Sequence, residues 1–177
     1  METFRDNSTG NANDIGNHPG VMRVREALAR LGVEDTIVVM PKAAHTAQAA
    51  ADALGCQIGE IAKSIIFRIG ERAVLVITSG KNRVDDRKVA ALIGQSLGKA
   101  DADFVRAQTG FVIGGVAPVA HTFAPIVLMD EDLLAYERVW PAAGHPNTMF
   151  HISPPQLAAI THARVADVAL VKQDSAT

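Results

Sequence analysis

The sequence predicts a single domain of the α+β class, and two observations support this prediction. The chain has 177 residues, of which 48% are hydrophobic and 20% are charged, so it is long and apolar enough to bury a core. Short hairpin signals are mixed with scattered helical segments, unlike the regular βαβ repeat of a doubly wound sheet. These features favour strands and helices packed around one core.

The two ends of the chain differ in composition from its centre, which sets the expected domain boundaries. Residues 1–17 are rich in Asn, Asp, Ser and Gly and offer little to bury, so we expect a flexible N-terminal tail. Residues 172–177 have a similar composition and are expected to form a C-terminal tail. No linker or internal repeat interrupts residues 18–171, which therefore form the predicted domain.

Hydrophobic spacing and capping residues indicate the elements of the first half. Thr46 and Gly55 are typical of the start and the end of a helix, and a Gly-Glu pair between two apolar segments is typical of a hairpin. The predicted elements are a helix at 19–32, a strand at 36–40, a helix at 45–55 and strands at 63–69 and 72–78.

The second half is predicted by the same signals. Aspartates open two of its helices, where they favour the positive helix terminus, and prolines open a third. The predicted elements are helices at 85–94, 101–110 and 154–161 and strands at 125–130, 137–144, 148–153 and 164–170.

Composition and motif content exclude several classes of protein. The net charge of −2 argues against a broad nucleic-acid-coating surface but allows a local basic patch. The single cysteine, Cys56, cannot form an internal disulfide, and no membrane span or signal peptide is present, so we expect a cytoplasmic protein.

Serine-hydrolase elbows and the usual nucleotide-binding loops are absent from the sequence. No metal or cofactor is expected, because the histidines lack metal-ligand spacing: His18, His45, His121, His145, His151 and His162.

Residues 110–121, GFVIGGVAPVAH, contain the most informative loop of the sequence. Gly114 and Gly115 mark a bulge or a close approach of a ligand or another backbone, and Pro118 removes a backbone donor. The loop is therefore either an ordinary sharp turn or the shaped floor of a binding site.

Two basic features accompany this loop. Lys63 opens the apolar strand KSIIF, as either a solvated strand-end lysine or a functional one. A basic cluster follows the turn SGKNR and is either a solvated helix face or a phosphate-binding patch. The cluster contains Lys81, Arg83, Arg87 and Lys88.

These segments together resemble the YbaK family, the stand-alone relatives of the editing domain inserted in bacterial prolyl-tRNA synthetases. The resemblance rests on IAKSIIF, VITSGKNRVDDRKVAALIG, AQTGFVIGGVAPVAH and AAGHPNTMFHISPPQLAAITHARVADV, which occur in family order. It implies a curved, mixed and mainly antiparallel sheet flanked by helices. It also implies an aminoacyl-tRNA deacylase that hydrolyses the ester of a mischarged tRNA.

The resemblance assigns expected roles to individual residues. Lys63 and Gly114 are the expected catalytic residues, because the family places the strand lysine and the glycine–proline loop around the aminoacyl ester and terminal adenosine. The residues expected to shape the substrate pocket are Ser64, Gly115, Pro118, His121, Gly144 and His145. Those expected to bind tRNA are Lys81, Arg83 and Lys88.

Some of these positions depart from the family pattern. Several family members that edit alanine carry asparagine where this chain has Ser64, and His121 also differs from the family's usual residue. His145 either contacts the amino acid or caps a turn. We expect a small amino acid to be removed.

The expected partner is the acceptor end of tRNA, with an aminoacyl-tRNA synthetase as a further candidate and neither DNA nor a membrane. Two rival functions remain open at this point. One is a non-catalytic module that binds tRNA or a synthetase. The other is an esterase or metal-dependent hydrolase that acts on a small molecule.

Overall fold

The computed structural model describes residues 12–42 and 44–171. The predicted tail segments 1–11 and 172–177 lie outside these described residues. A short helix, α1, spans Ala12–Gly16 within the segment predicted as the N-terminal tail. Within the described ranges, no helix has the length and apolar character needed to cross a membrane.

The helices begin where the capping pattern predicts, because short polar side chains accept hydrogen bonds from first-turn backbone N–H groups. Thr46, Asp85, Asp101 and Ser153 act in this way. The helices after α1 are α2 (Pro19–Arg30), α3 (Ala47–Leu54), α4 (Asp86–Ile93), α5 (Ala102–Thr109) and α6 (Pro154–Thr161).

The strands differ more in length from the predictions than the helices do. Strands predicted at 36–40, 137–144, 148–153 and 164–170 are each reduced to two or three residues. Around Pro141, isolated bridges take the place of a continuous ladder, since proline has no N–H to donate. The strands are β1 (Val38–Val39), β2 (Ile61–Ile69), β3 (Arg72–Ser79), β4 (Gly98–Lys99), β5 (Ile126–Asp130), β6 (Trp140–Pro141), β7 (Thr148–Met149) and β8 (Arg164–Ala166).

The main sheet has the strand order β4-β2-β3-β5-β8, and β6 pairs with β2 off this path. Pairing is antiparallel from β4 through β2 to β3 and parallel from β3 through β5 to β8. The predicted α+β class, with a mixed sheet flanked by helices, is confirmed. The start of β2 and the ends of β3 and β5 consequently lie at one edge, where Lys63 pairs with Thr78 and Ile77 pairs with Met129.

Strand β3 is the centre of the core and is covered on both faces. Leu75 and Ile77 belong to one apolar cluster, which includes residues from α2, α5 and α6. Val74 and Val76 belong to another, which includes Val89 of α4. Successive side chains of a strand point to opposite faces. Because both faces of β3 are buried, its sequence contains a continuous run of apolar residues.

A buried carboxylate connects the strand ends at the Lys63 edge. Asp130 has 0% exposure, and its Oδ2 accepts hydrogen bonds from Thr78 Oγ1 at 3.2 Å, Ser79 N–H at 3.0 Å and Asn82 Nδ2 at 2.9 Å. A buried donor left unpaired is costly, so Thr78 and Ser79 depend on this one side chain, whereas Asn82 Nδ2 also donates to Asp132. Asp130 therefore holds the end of β5 against the end of β3 and the loop that follows it.

We expect Asp130→Ala to lower the free energy of unfolding by about 3 kcal/mol, because it leaves buried donors without an acceptor. Urea unfolding followed by circular dichroism measures this loss. The exposed carboxylate of Asp103 on α5 provides the control, and Asp103→Ala should change stability by about 0.5 kcal/mol or less. Equal stabilities for the two variants would contradict the role assigned to Asp130.

Candidate functional site

A cavity of about 280 Å³ opens beside the first residues of β2, and we call it the Lys63 cavity. The glycine loop, the start of α3 and the segment before β7 form its other walls. Its lining includes Lys63, Ser64, Ile113, Gly114, Val116, His45, Thr46, Ala142, Pro146 and Thr148. The fold therefore brings together the two residues predicted to be catalytic, which lie 51 positions apart in the sequence (114 − 63).

Lys63 is half-buried and held in place by a loop carbonyl. Its Nζ donates to the backbone oxygen of Asn82 at 2.9 Å. The Asn82 side chain is itself held, because its Nδ2 donates to Asp130 Oδ2 at 2.9 Å and to Asp132 Oδ2 at 2.7 Å. Among the described residues the ammonium has this one acceptor, so two of its three protons remain for a ligand.

The electrostatic surroundings of Lys63 act on its proton affinity. Burial lowers the pKa of the Lys63 ammonium below its usual value of 10.5, and the positive charge of Arg83 lowers it further. The negative charge of Asp130 opposes this shift. Partial burial also reduces screening, so the charge on Lys63 acts more strongly on a bound anion than a solvated lysine would.

Gly114 lies in a tight turn on the cavity wall. The Gly115 N–H donates to the Val112 oxygen at 2.9 Å, and Gly114 has φ 89°, as the third residue of a type II turn requires. A Cβ built at Gly114 meets nothing within 4 Å, so the position faces open space. The loop is therefore a sharp turn, and this turn also lines the Lys63 cavity.

Gly115 serves a different purpose from its neighbour. A Cβ at Gly115 would lie 2.9 Å from the carbonyl carbon of His145 and 3.0 Å from Cδ of Pro146. At Gly144, which has φ 96°, a Cβ would overlap the carbonyl of Gly20. These two glycines allow backbone segments to approach each other.

Ser64 contributes an unsatisfied polar atom to the Lys63 cavity. Its Oγ is buried and has no hydrogen-bond partner among the described residues. A buried hydroxyl without a partner is unfavourable unless a ligand or water supplies one. Ser64 therefore lies on the wall of the Lys63 cavity with a buried hydroxyl that has no partner among the described residues.

His145 lies in a second cavity of about 350 Å³, which we call the His18 cavity. Its Nδ1 accepts from the Asn147 N–H at 3.0 Å, so the histidine caps a turn, which is one of the two roles considered from the sequence. Its ring packs edge-on against that of His18, with centroids 5.0 Å apart. Burial lowers the pKa of His145 below its usual value of 6.5, and His18 lowers it further.

Pro118 and His121 line neither of these cavities. They border a larger groove of about 910 Å³, the Arg72 groove, which lies beside the start of β3. His121 Nε2 donates to the Ala117 oxygen at 2.6 Å. Burial lowers the pKa of His121 below 6.5, and this hydrogen bond opposes the shift. The structure thus separates these two predicted pocket residues from Lys63.

The basic cluster lies beside the Lys63 edge but includes acidic neighbours. Lys81, Arg83 and Lys88 line one groove, the Lys81 groove, together with Glu131, Asp132 and Asp167. Lys88 Nζ donates to Asp167 Oδ2 at 2.9 Å and to the Ala169 oxygen at 2.8 Å. Lys81 and Arg83 are exposed.

The fold brings three further residues to the site that the sequence does not mark as functional. Asn82 provides the acceptor for Lys63, while His45 and Thr46 lie on the cavity wall. Thr46 was recognised only as a helix cap, and no local pattern marks the other two. Across the described ranges, no group of three or more His, Cys, Asp or Glu side chains is arranged to hold a metal ion.

Comparison with known proteins identifies the family. Residues 41–160 match the family model of the aminoacyl-tRNA editing domain. The chain belongs to the aminoacyl-tRNA editing domain family. The matched range contains Lys63, the Gly114 turn and His145, whereas His18 precedes it. Family membership assigns the chain a role in aminoacyl-tRNA editing.

Individual relatives of this editing domain agree in fold and extent. Uncharacterized protein YwhH of Bacillus subtilis (strain 168) is 28% identical over 143 residues, covering 80% of this chain and 91% of that protein. A crystal structure of a protein proposed as a trans-editing enzyme for prolyl-tRNA synthetase has a TM-score of 0.82 and 42% identity, covering 86% of this chain and 98% of that one. The crystal structure of hypothetical protein APE2540 has a TM-score of 0.77 and 30% identity, and the match covers 84% of this chain and 99% of that one.

We expect Gly114→Val to reduce aminoacyl-tRNA deacylation at least tenfold while the editing domain stays folded. Valine at a positive φ is strained, and we expect the change to distort the turn where it lines the Lys63 cavity. Rates are measured with mischarged tRNA, and melting curves are recorded in parallel.

Gly55 supplies the matched control for this substitution. It has φ 67° at the end of α3 and also meets nothing within 4 Å, but it lies outside the Lys63 cavity. Gly55→Val should cost similar stability without the loss of rate. Equal rates for Gly114→Val and the parent protein would show that the loop is only a turn.

Proposed function

We propose that this editing domain deacylates mischarged aminoacyl-tRNA by hydrolysing the ester that joins a small amino acid to the terminal ribose. The observation that carries the proposal is that Lys63, whose ammonium has one acceptor among the described residues, lines the same cavity as the open Gly114 turn. Family membership and the likeness to a protein proposed as a trans-editing enzyme support the same reaction.

An aminoacyl ester is already activated, so positioning and electrostatic stabilisation can supply most of the catalysis. Water adds to the ester carbonyl carbon, the bond to the ribose oxygen breaks, and that oxygen leaves with a proton. Lys63 stabilises either the negative oxygen that develops on the carbonyl or the terminal phosphate. No side chain is assigned as a general base. The neighbouring ribose hydroxyl of the substrate is therefore proposed to assist the attacking water.

The Gly114 turn and Ser64 orient the ester in this proposal. Without a side chain at Gly114, the ester approaches the backbone, whose N–H and C=O groups hydrogen-bond to it. Ser64, whose buried Oγ has no hydrogen-bond partner among the described residues, is proposed as a further partner for the substrate. The cavity of about 280 Å³ has room for the aminoacyl group, and the amino acid removed is proposed to be a small one such as alanine, serine, cysteine or threonine.

The proposed partner is the acceptor end of tRNA, with a synthetase as a further candidate. Lys81, Arg83 and Lys88 are proposed to attract its phosphates. Arg83 is the strongest candidate of the three because it is exposed and its charge acts on Lys63, whereas Lys88 is already paired with Asp167. We further propose that the reaction needs neither metal nor cofactor and takes place in the cytoplasm.

We expect Lys63→Ala to lower kcat/KM for mischarged tRNA about a hundred- to a thousandfold, equivalent to roughly 3–4 kcal/mol of transition-state stabilisation. Lys63→Arg should recover only part of this activity, because a planar guanidinium replaces a compact ammonium. The exposed Lys99 of β4 is the control, and Lys99→Ala should retain the parental rate.

The reactions contain EDTA, and each variant is accompanied by a melting curve. A folded Lys63→Ala protein that deacylates at the parental rate would favour a non-catalytic tRNA- or synthetase-binding module. Parental activity that disappears in EDTA and returns with zinc would instead indicate a metal-dependent hydrolase.

The lowered pKa of Lys63 predicts the alkaline side of the pH profile. If the charged ammonium is required, enzyme-dependent deacylation falls as pH rises through a pKa below 10.5. Spontaneous ester hydrolysis is subtracted at each pH. Lys63→Arg should lose this alkaline decline, because a guanidinium stays protonated throughout the range. An identical decline in both proteins would assign it to another group.

A further inference from the structure

The His18 cavity lies directly beside the Lys63 cavity. Pro146 lines both cavities, and the turn that carries Gly114 lies between them. Val112 borders the His18 cavity, whereas Ile113 and Gly114 border the Lys63 cavity. A chain-like substrate whose end occupies the Lys63 cavity therefore has an adjacent space for its preceding unit.

The ionisable side chains that line the His18 cavity are all basic. They are His18, Arg23 and His145, and no carboxylate lines it among residues 12–42 and 44–171. Arg23 also has no carboxylate within ion-pair distance in those ranges, so its charge is uncompensated there. The Lys81 groove differs, because three carboxylates line it.

Hydrogen bonds determine which nitrogen of each imidazole carries the proton. His18 Nδ1 accepts from the Gly20 N–H at 3.1 Å, and His145 Nδ1 accepts from the Asn147 N–H at 3.0 Å. A ring nitrogen that accepts cannot carry a proton, so each neutral ring is protonated at Nε2. Each histidine therefore has one N–H donor that its backbone contact does not use.

The basic groups are held by close packing. Arg23 donates to the backbone oxygens of Thr109, at 2.8 Å, and Ala120, and its guanidinium lies 4.5 Å from the centroid of the Phe111 ring. A Cβ at Gly110 would overlap the Arg23 guanidinium. The site is thus preorganised, which lowers the entropic cost of binding.

We propose that the His18 cavity binds the phosphodiester that precedes the terminal adenosine of the aminoacyl-tRNA. His18 and His145 donate their Nε2 protons to the phosphate oxygens, and Arg23 supplies a fixed positive charge. This inference rests on the proposed deacylation in the form in which the aminoacyl end occupies the Lys63 cavity and Lys63 stabilises the developing carbonyl oxygen, because the same phosphate does not bind both Lys63 and the His18 cavity. His18 becomes a substrate-binding residue outside the range matched by the editing-domain model.

Substrates of increasing length test this site. The first is an aminoacyl-adenosine with no phosphate, the second is an aminoacyl cytidylyl-adenosine with one phosphodiester, and the third is mischarged tRNA. The parent protein should have a higher kcat/KM for the dinucleotide than for the aminoacyl-adenosine, mainly through a lower KM. A neutral methylphosphonate in place of the phosphodiester should remove this advantage.

His18→Ser is the main variant, because serine is also a good helix cap and should preserve the start of α2. We expect it to lower kcat/KM about tenfold for the dinucleotide and for tRNA, and not for the aminoacyl-adenosine. His145→Asn should also lower kcat/KM for the dinucleotide and for tRNA, the two substrates that carry a phosphate. Asp101→Ser is the control, since it exchanges the cap of α5 outside the His18 cavity and should change none of the three rates.

Unchanged rates for His18→Ser on all three substrates would overturn the phosphate site. An equal loss on all three would overturn it too, because the effect would then be structural. Failure of the parent protein to deacylate any of the substrates would overturn the proposed function itself. Activity of the parent on the aminoacyl-adenosine without any gain from the phosphodiester would overturn only the inference about the His18 cavity.

Discussion

The carboxylate of Asp130 joins three parts of the chain at the edge of the sheet where the candidate site lies. One buried oxygen accepts from Thr78, Ser79 and Asn82, so the ends of β3 and β5 and the loop after β3 are held together. The carbonyl of Asn82 then accepts from Lys63. The position of the catalytic candidate thus depends on a hydrogen-bond network that begins in the core, where unpaired donors would be costly.

Glycines determine how closely the loops around the site approach each other. Gly115 packs against His145 and Pro146, and Gly144 packs against Gly20, with no room for a Cβ at either position. These contacts bring the Lys63 and His18 cavities to either side of one turn. Gly114 differs because a side chain there would meet open space, so of the two adjacent glycines Gly115 serves packing, whereas Gly114 is proposed to serve ligand access.

Several features could be predicted from the sequence because they depend on local interactions. Thr46 caps α3 and Gly55 ends it, and the Gly-Glu turn produces the long hairpin of β2 and β3. The short strands were predicted too long, because apolar runs alone do not reveal where a ladder loses its partner. The sequence does not predict helix α1, since its five residues include only one large apolar side chain, Ile15, and carry little periodic signal.

The sequence by itself determined the fold class, the positions of helices α2 to α6 and the family, and it identified Lys63 and the Gly114 loop as candidates. Tertiary structure alone decided which candidates share a cavity. It places Pro118 and His121 in the Arg72 groove, His145 beside His18, and Asn82 against Lys63. The physical reason is that caps and turns arise from neighbours a few residues apart, whereas a cavity is formed by side chains that only the packing of distant elements brings together.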